Sequence, residues 1–243
     1  MPLVYSFKVG SYAAIAGASF SPPRQDVILL MDDYVNNHLN KEDITSKEIE
    51  SHLENNYRKN PNDYRSLVSL MKKCSFLSFD NCAIVKGSSF YTTEGYVFVR
   101  LLRLLRMDLP DTVRVHILKA YHLLLQKAIV RMINKKVDGS DNLLILLKVI
   151  SLTRTLSLNE YLYALSEKCT NPHFSINAIA AFILRNREDG ASYSYISSAT
   201  NKPIADSAMQ MSRELLQQAG VFKTGQTFCE LLSDDFLIKN KIV

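Results

Sequence analysis

The chain has 243 residues, enough for one large domain or two smaller ones; its 47% hydrophobic and 22% charged content argues against a mostly disordered polypeptide, and no run of roughly 18 apolar residues is present to predict a membrane span. Eight glycines and seven prolines supply few chain breakers, which favours long helices over a many-turned β fold. The formal charge of +5 suits a nucleic acid or an acidic surface without demanding either.

Residues 1–23 read as an irregular or strand-forming lead-in closed by Ser21-Pro22-Pro23. From Arg24 the spacing of Val27, Leu30, Met31, Tyr34, Val35 and Leu39 predicts a helix. Thr45 stands three residues before Glu48, a capping-box spacing that opens a second helix through Ile49 and Leu53. Asn60-Pro61-Asn62 breaks the chain, and Tyr64, Leu67, Val68 and Met71 mark a third helix. That helix is surrounded by Arg58, Lys59, Arg65, Lys72 and Lys73, whereas the second carries Glu48, Glu50 and Glu54. Phe76–Val99 is rich in Val, Ile, Phe and Tyr around turn signals at Lys86-Gly87-Ser88 and Thr93-Glu94-Gly95, and predicts a small hairpin.

The middle of the chain, 101–170, reads as helical. Its longest helix starts at Asp111 after Pro110, and Val115, Leu118, Tyr121, Leu125, Ala128 and Met132 form a broad apolar stripe expected to pack into a core. Shorter helices are expected over Leu143–Leu152 and Leu158–Lys168. Positive charge concentrates between 100 and 136, where Arg103, Arg106, Arg114, Lys127, Arg131 and Lys135 are candidates for phosphate or protein-partner contacts. The competing reading makes them the solvated faces of amphipathic helices. The same helices are candidates for homodimer pairing.

Beyond Pro172, Ser175 caps a helix through Ile176, Ile179, Ala180 and Ile183 that ends at Asp189-Gly190. A short helix over Tyr193–Thr200, a turn at Asn201-Lys202-Pro203 and a longer helix from Ile204 to Ala219 are expected to follow. Gly220 stops that helix, and Val221-Phe222 starts a strand towards Thr224-Gly225-Gln226. The string ISSATNKPIADSAMQMSRELLQQAGVFKTGQTF, with Leu216-Gln-Gln-Ala-Gly220 before a strand, resembles the winged helix-turn-helix DNA-binding superfamily. The resemblance covers the last 70 or so residues, roughly residues 171–243.

The resemblance implies a mainly α fold: a C-terminal winged helix (171–243), a helical middle (101–170), and an N-terminal α+β domain (1–100) whose helix order makes it a second winged-helix candidate. It implies that the helix from Ile204 to Ala219 enters the major groove of double-stranded DNA. With Met209, Ser212 and Leu216 inward, Asp206, Gln210, Arg213 and Gln217 face the bases. Lys202 and Ser207 reach phosphates, and Lys223 and Gln226 sit on the wing. Against this, acidic and basic residues balance in the segment, whereas phosphate neutralisation calls for positive charge.

Catalysis is not expected: the sequence has no Gly-rich phosphate loop, no GxSxG and no HExxH. The five histidines and Cys74, Cys82, Cys169 and Cys229 lack metal-ligand or CxxC spacing, so no metal, organic cofactor or disulfide framework is implied. The chain start shows no strong targeting signal, and a cytoplasmic location is expected. The resulting reading is a transcriptional regulator. The alternatives are a plasmid-type replication initiator or chromosome-maintenance protein with tandem winged helices, and a protein–protein scaffold without DNA contact.

Overall fold

A computed structural model describes residues 4–8, 19–79, 83–171, 173–196, 201–224 and 228–242, with 201–209 described by backbone alone. The described residues are mainly helical. In chain order they form β1 (Val4–Lys8), α1 (Pro22–His38), β2 (Ile44–Thr45), α2 (Ser46–Tyr57), α3 (Pro61–Lys73) and β3 (Ala83–Ile84). Next come α4 (Thr93–Leu105), α5 (Asp111–Asn134), α6 (Ser140–Thr153), β4 (Thr155–Leu156) and α7 (Leu158–Thr170). The last elements are α8 (Ile176–Glu188), β5 (Ser192–Ile196), α9 (Asn201–Gln218), β6 (Cys229–Glu230) and α10 (Asp235–Lys239). No helix among the described residues is long and apolar enough to cross a membrane.

Two compact units result: an N-terminal unit, Ala16–Arg131, and a C-terminal unit comprising Met1–Ile15 and Met132–Val243. The division falls inside α5. Residues 100 and 170, where the sequence suggests boundaries, are respectively inside α4 and at the end of α7.

In the N-terminal unit, α1, α2 and α3 pack on one another. Their buried faces are Val27, Ile28, Met31 and Val35 on α1, Ile49 and Leu53 on α2, and Tyr64, Leu67, Leu70 and Met71 on α3. Strand β2 pairs antiparallel with β3, Ile44 opposite Ile84. An aromatic layer sets Phe98 stacked on Phe76 and tilted against Phe20, with ring centroids 4.6 and 4.8 Å apart. The expected stripe of α5 is buried at Tyr121, Leu125 and Ala128, but Val115 and Leu118 are exposed.

The hairpin expected over Phe76–Val99 is corrected. A single antiparallel bridge joins Leu77 to Tyr91, and the chain then turns helical at Thr93. Thr92 caps α4 by accepting a hydrogen bond from the Gly95 amide at 3.1 Å. The β-favouring residues Phe98 and Val99 are carried on a helical face with Leu102 because that face is buried, and burial outweighs local propensity. Gly95 permits the close approach: a Cβ there would lie 1.8 Å from the Phe76 carbonyl oxygen.

The C-terminal unit repeats part of this plan. Helices α6, α7 and α8 pack on one another, with Leu143, Leu146, Leu147 and Ile150 facing Leu162, Leu165, Ile179 and Ile183 in one core. Strand β4 pairs antiparallel with β6, and a bridge from Phe222 to Leu231 adds the segment after α9. As β2 leads into the Thr45–Glu48 capping box of α2, β4 leads into the Ser157–Glu160 capping box of α7.

The short helix expected over Tyr193–Thr200 is also corrected. Ser192–Ile196 is a strand, β5, and it pairs in parallel with β1, Tyr5 opposite Tyr193. Tyr193 and Tyr195 are aromatic residues alternating with serines, a period of two that a strand satisfies and a helix does not. Residues 197–200 of that expected helix lie outside the described residues.

Candidate nucleic-acid interface

Helices α2 and α3 pack on one another and are joined by the three residues 58–60. Helix α2 opens at a reciprocal capping box: the Glu48 amide donates to Thr45 Oγ1 at 3.2 Å and the Thr45 amide donates to Glu48 Oε2 at 2.6 Å. It closes at Arg58, which takes a left-handed conformation (φ 51°), with its amide on the Glu54 carbonyl and that of Lys59 on the Leu53 carbonyl. Asn60 then caps α3, its Oδ1 accepting from the Asn62 amide at 2.9 Å, with Pro61 in the first helical turn. A three-residue link of this kind fixes the crossing of the two helices.

A buried contact sets how the pair sits. Tyr64 Oη and Ser46 Oγ lie 2.8 Å apart, joining the first turn of α3 to the start of α2. Burial pushes the Tyr64 phenol up to about 12, partly offset by that hydrogen bond, so it stays neutral.

With Tyr64, Leu67, Leu70 and Met71 inward, Asn62, Arg65 and Ser69 are exposed at three- and four-residue spacing, and Lys73 continues the row half-buried. Arg58 at the link is exposed and Lys59 half-buried. Arg65 forks onto Glu50, Nε to Oε2 at 3.1 Å and Nη2 to Oε1 at 2.5 Å. The arginine side chain is 65% exposed, so solvent screens this pair and it is held weakly. Lys72 Nζ lies 4.8 Å from the Phe79 ring centre.

The residues singled out near the C-terminus are distributed differently. Helix α9 begins at Asn201, so the turn expected at Asn201-Lys202-Pro203 is corrected to the first turn of the helix, and on its later part Ser212, Leu215 and Leu216 are buried, with Ala219 just beyond it. Gln210 is exposed and donates to Glu214 at 3.0 Å. Arg213 is half-buried with its Nε inside the protein near Cys229. Burial raises the Cys229 thiol to about 12, and the Arg213 charge works in the opposite direction. Gln217 donates to the Lys223 carbonyl at 2.9 Å, and Lys223 pairs with Glu230 at 2.5 Å across the terminal hairpin. The side chains of Lys202, Asp206, Ser207 and Met209, and residue Gln226, lie outside the described residues.

Four of the basic residues between 100 and 136 are engaged within the fold. Arg103 bridges Asp32 and Asp33, and Arg106 reaches Asp26 at 2.7 Å and the Pro22 carbonyl at 3.0 Å. Arg131 pairs with Glu94, and Arg114 donates to the Leu105 carbonyl at 3.2 Å. Lys127 and Lys135 are exposed. The described residues hold no group of three His, Cys, Asp or Glu side chains placed to bind a metal ion.

No family model, curated protein or solved structure matches the chain.

Proposed function

We propose that the protein binds double-stranded DNA as a transcriptional regulator, and that α3 is its reading helix. The observation that carries this is the α2–α3 pair, braced by α1, with an outer row of Asn62, Arg65, Ser69 and Lys73. These are side chains that bond base edges and phosphates, on a helix whose opposite face is fixed in a core. The helix–strand–helix–helix order with a following antiparallel pairing supports reading the N-terminal unit as winged-helix-like. Of the sequence resemblance near the C-terminus, what still supports the same class of domain is α9 followed by the pairing of Phe222 with Leu231, since β5 stands where its first helix was expected.

The recurrence of the α1–β2–α2–α3 order in α6–β4–α7–α8 favours one second reading, a replication initiator with tandem winged helices. The two differ in where they bind, at promoters or at clustered repeats of an origin.

The test is binding of the full chain to a fluorescent pool of genomic fragments at two salt concentrations, with Arg65→Ala, Lys73→Ala and Arg213→Ala variants. Specific fragments are expected to be enriched, with affinity falling steeply as salt rises. Arg65→Ala should weaken specific binding by roughly 1–3 kcal/mol, and Lys73→Ala should weaken all sequences alike and lower the salt slope by about 1. Loss in Arg213→Ala alone would move the reader to α9. Absence of binding at low salt would remove DNA from the account and leave a protein scaffold.

A further inference from the structure

The end of α1, the Ser88–Thr93 segment and Tyr96 on α4 enclose a cleft of about 400 Å³ in the N-terminal unit. Small-molecule sites run from roughly 300 to 1,000 Å³. Its floor is apolar, with Val35, Leu39 and Phe90 buried. Its walls are polar and uncharged: the carboxamides of Asn36 and Asn40, the hydroxyls of Ser88, Ser89, Thr92 and Thr93, and the exposed ring of Tyr96. The fold uses part of this set. Ser88 Oγ donates to the Val85 carbonyl at 2.6 Å, and Thr92 Oγ1 donates to the Ser75 carbonyl at 2.8 Å while accepting from the Gly95 amide. The side chains of Asn36, Asn40, Ser89 and Thr93 make no hydrogen bond to other described residues. The walls themselves are fixed. The Gly87 amide donates to the Leu39 carbonyl and the Ser78 amide to the Phe90 carbonyl, both at 3.0 Å, and the Ser78 hydroxyl donates to the Ser89 carbonyl. The cleft is therefore formed in advance of a ligand, which lowers the cost of binding one.

We propose that this cleft binds a free neutral sugar, one ring bearing several hydroxyls. Charge rules out ionic ligands, because no charged side chain lines the cleft and an ion entering it gives up water for no opposite charge. Arg100, 6.0 Å from the Tyr96 ring centre, stands outside the lining, and Asp32, next to the Tyr91 hydroxyl, is held by Arg103. An apolar ligand fails for the opposite reason, since it would cover the Asn36 and Asn40 carboxamides and leave them without partners. A sugar answers both demands. Each of its hydroxyls donates and accepts, as the two carboxamides and the Ser89 and Thr93 hydroxyls do. Its ring C–H groups suit the apolar floor and the face of Tyr96, which carries the negative side of the ring quadrupole. None of the lining residues belongs to α3, so the proposal stands independently of whether α3 reads DNA.

The probes are D-glucose, D-galactose, D-mannose and D-ribose, added to the full chain and followed by saturation-transfer NMR and isothermal titration. Glucose 6-phosphate, glucuronate and adenosine are the counterparts. At least one neutral sugar is expected to bind, and to bind roughly tenfold or more tightly than any counterpart. Asn36→Ala and Asn40→Ala should each weaken it roughly fivefold or more, and Tyr96→Ala several-fold. Asn37→Ala, exposed on α1 but outside the cleft, should leave it unchanged. All four positions are exposed, so circular dichroism of the variants should match that of the parent chain. No binding of any neutral sugar would overturn the proposal, as would equal or tighter binding of the phosphate, the carboxylate or the nucleoside. Binding unchanged in Asn36→Ala and Asn40→Ala, or an equal loss in Asn37→Ala, would place the ligand elsewhere and overturn it too.

Discussion

Replacing Arg187 with methionine should destabilise the C-terminal unit more than any other single change to a charged residue there. Glu160 is 7% exposed at the start of α7, and Arg187 on α8 meets it with two hydrogen bonds, Nε to Oε1 at 2.7 Å and Nη2 to Oε2 at 2.9 Å. The same Nη2 donates to the Thr155 carbonyl at 2.7 Å, tying α8 to β4. Glu160 Oε2 also accepts from the Ser157 amide at 2.8 Å as half of the capping box. Burial works to raise the Glu160 carboxyl, but the Arg187 and Ser157 hydrogen bonds and the arginine charge outweigh it and hold the group below the usual carboxylate range. Removing the arginine leaves a buried carboxylate unpaired, which costs about 3–5 kcal/mol. The arginine side chain is 32% exposed, so the low end applies, about 3 kcal/mol. For a chain of this length that lowers the melting temperature by roughly 6–12 °C.

Urea unfolding followed by circular dichroism measures the loss, and two controls isolate its cause. The double variant Glu160→Gln with Arg187→Met should recover at least half, because glutamine still serves a capping box while carrying no charge. The pH dependence has a fixed sign. A carboxyl depressed in the folded state contributes stability that is full above its unfolded value near 4.3 and disappears as pH falls through the folded value. The gap between parent and Arg187→Met should therefore close in acid. A loss under 0.5 kcal/mol at pH 7, or no recovery in the double variant, would refute the argument.

Gly95→Ala drives a Cβ to 1.8 Å from the Phe76 carbonyl oxygen, and since that atom is backbone the expected cost is about 3 kcal/mol or more in the N-terminal unit, measured by the same urea titration. Thr45→Ala removes the cap of α2 and should cost about 1 kcal/mol, with Thr45→Ser restoring it. Burial pushes the Cys74 and Cys229 thiols up to about 12, so in a Cys82→Ser, Cys169→Ser background a thiol reagent at pH 8 should leave both unmodified until denaturant is added; rapid labelling of the native chain would contradict their placement. In an alanine scan of DNA binding, Arg58, Arg65 and Lys73 should each lower affinity, while Arg185 on α8 should change it less than twofold; equal losses on both helices would assign reading to both units.

What the sequence made legible follows the strength of local signals. Thr45–Glu48 and Asn60-Pro61 mark helix starts by hydrogen bonds made within a few residues, and both helices begin there. The elements misread are those decided at long range. Tyr193–Ile196 becomes a strand because residues Val4–Lys8, nearly two hundred positions earlier, supply its partner. Val97–Val99 becomes helical because Phe76 and Phe20 wait to cover Phe98. Arg103, Arg106 and Arg131 look like a basic track in one dimension. Their partners Asp32, Asp26 and Glu94 lie on earlier helices, and only folding shows that these three charges are already paired.

The repeated order in the two units sharpens the functional argument, because like architecture carries unlike surfaces. In each, a strand runs into a capping box, the next helix packs on the one before, and a third helix closes the set. On α3 the outward residues are Asn62, Arg65, Ser69 and Lys73, with Arg58 and Lys59 at the link. On α8 they are Asn177, Ala178, Ala181, Leu184, Arg185 and Glu188, with Arg187 turned onto Glu160. A core requirement acts equally on both inner faces and explains neither outer one. Phosphate contact draws on positive charge beside the reading helix. Arg58, Lys59, Arg65, Lys72 and Lys73 cluster on and beside α3, with Arg65 on Glu50, whereas α8 sets Arg185 against Asp189 on its own surface. That difference between otherwise matching helices is the reason to place DNA recognition on α3.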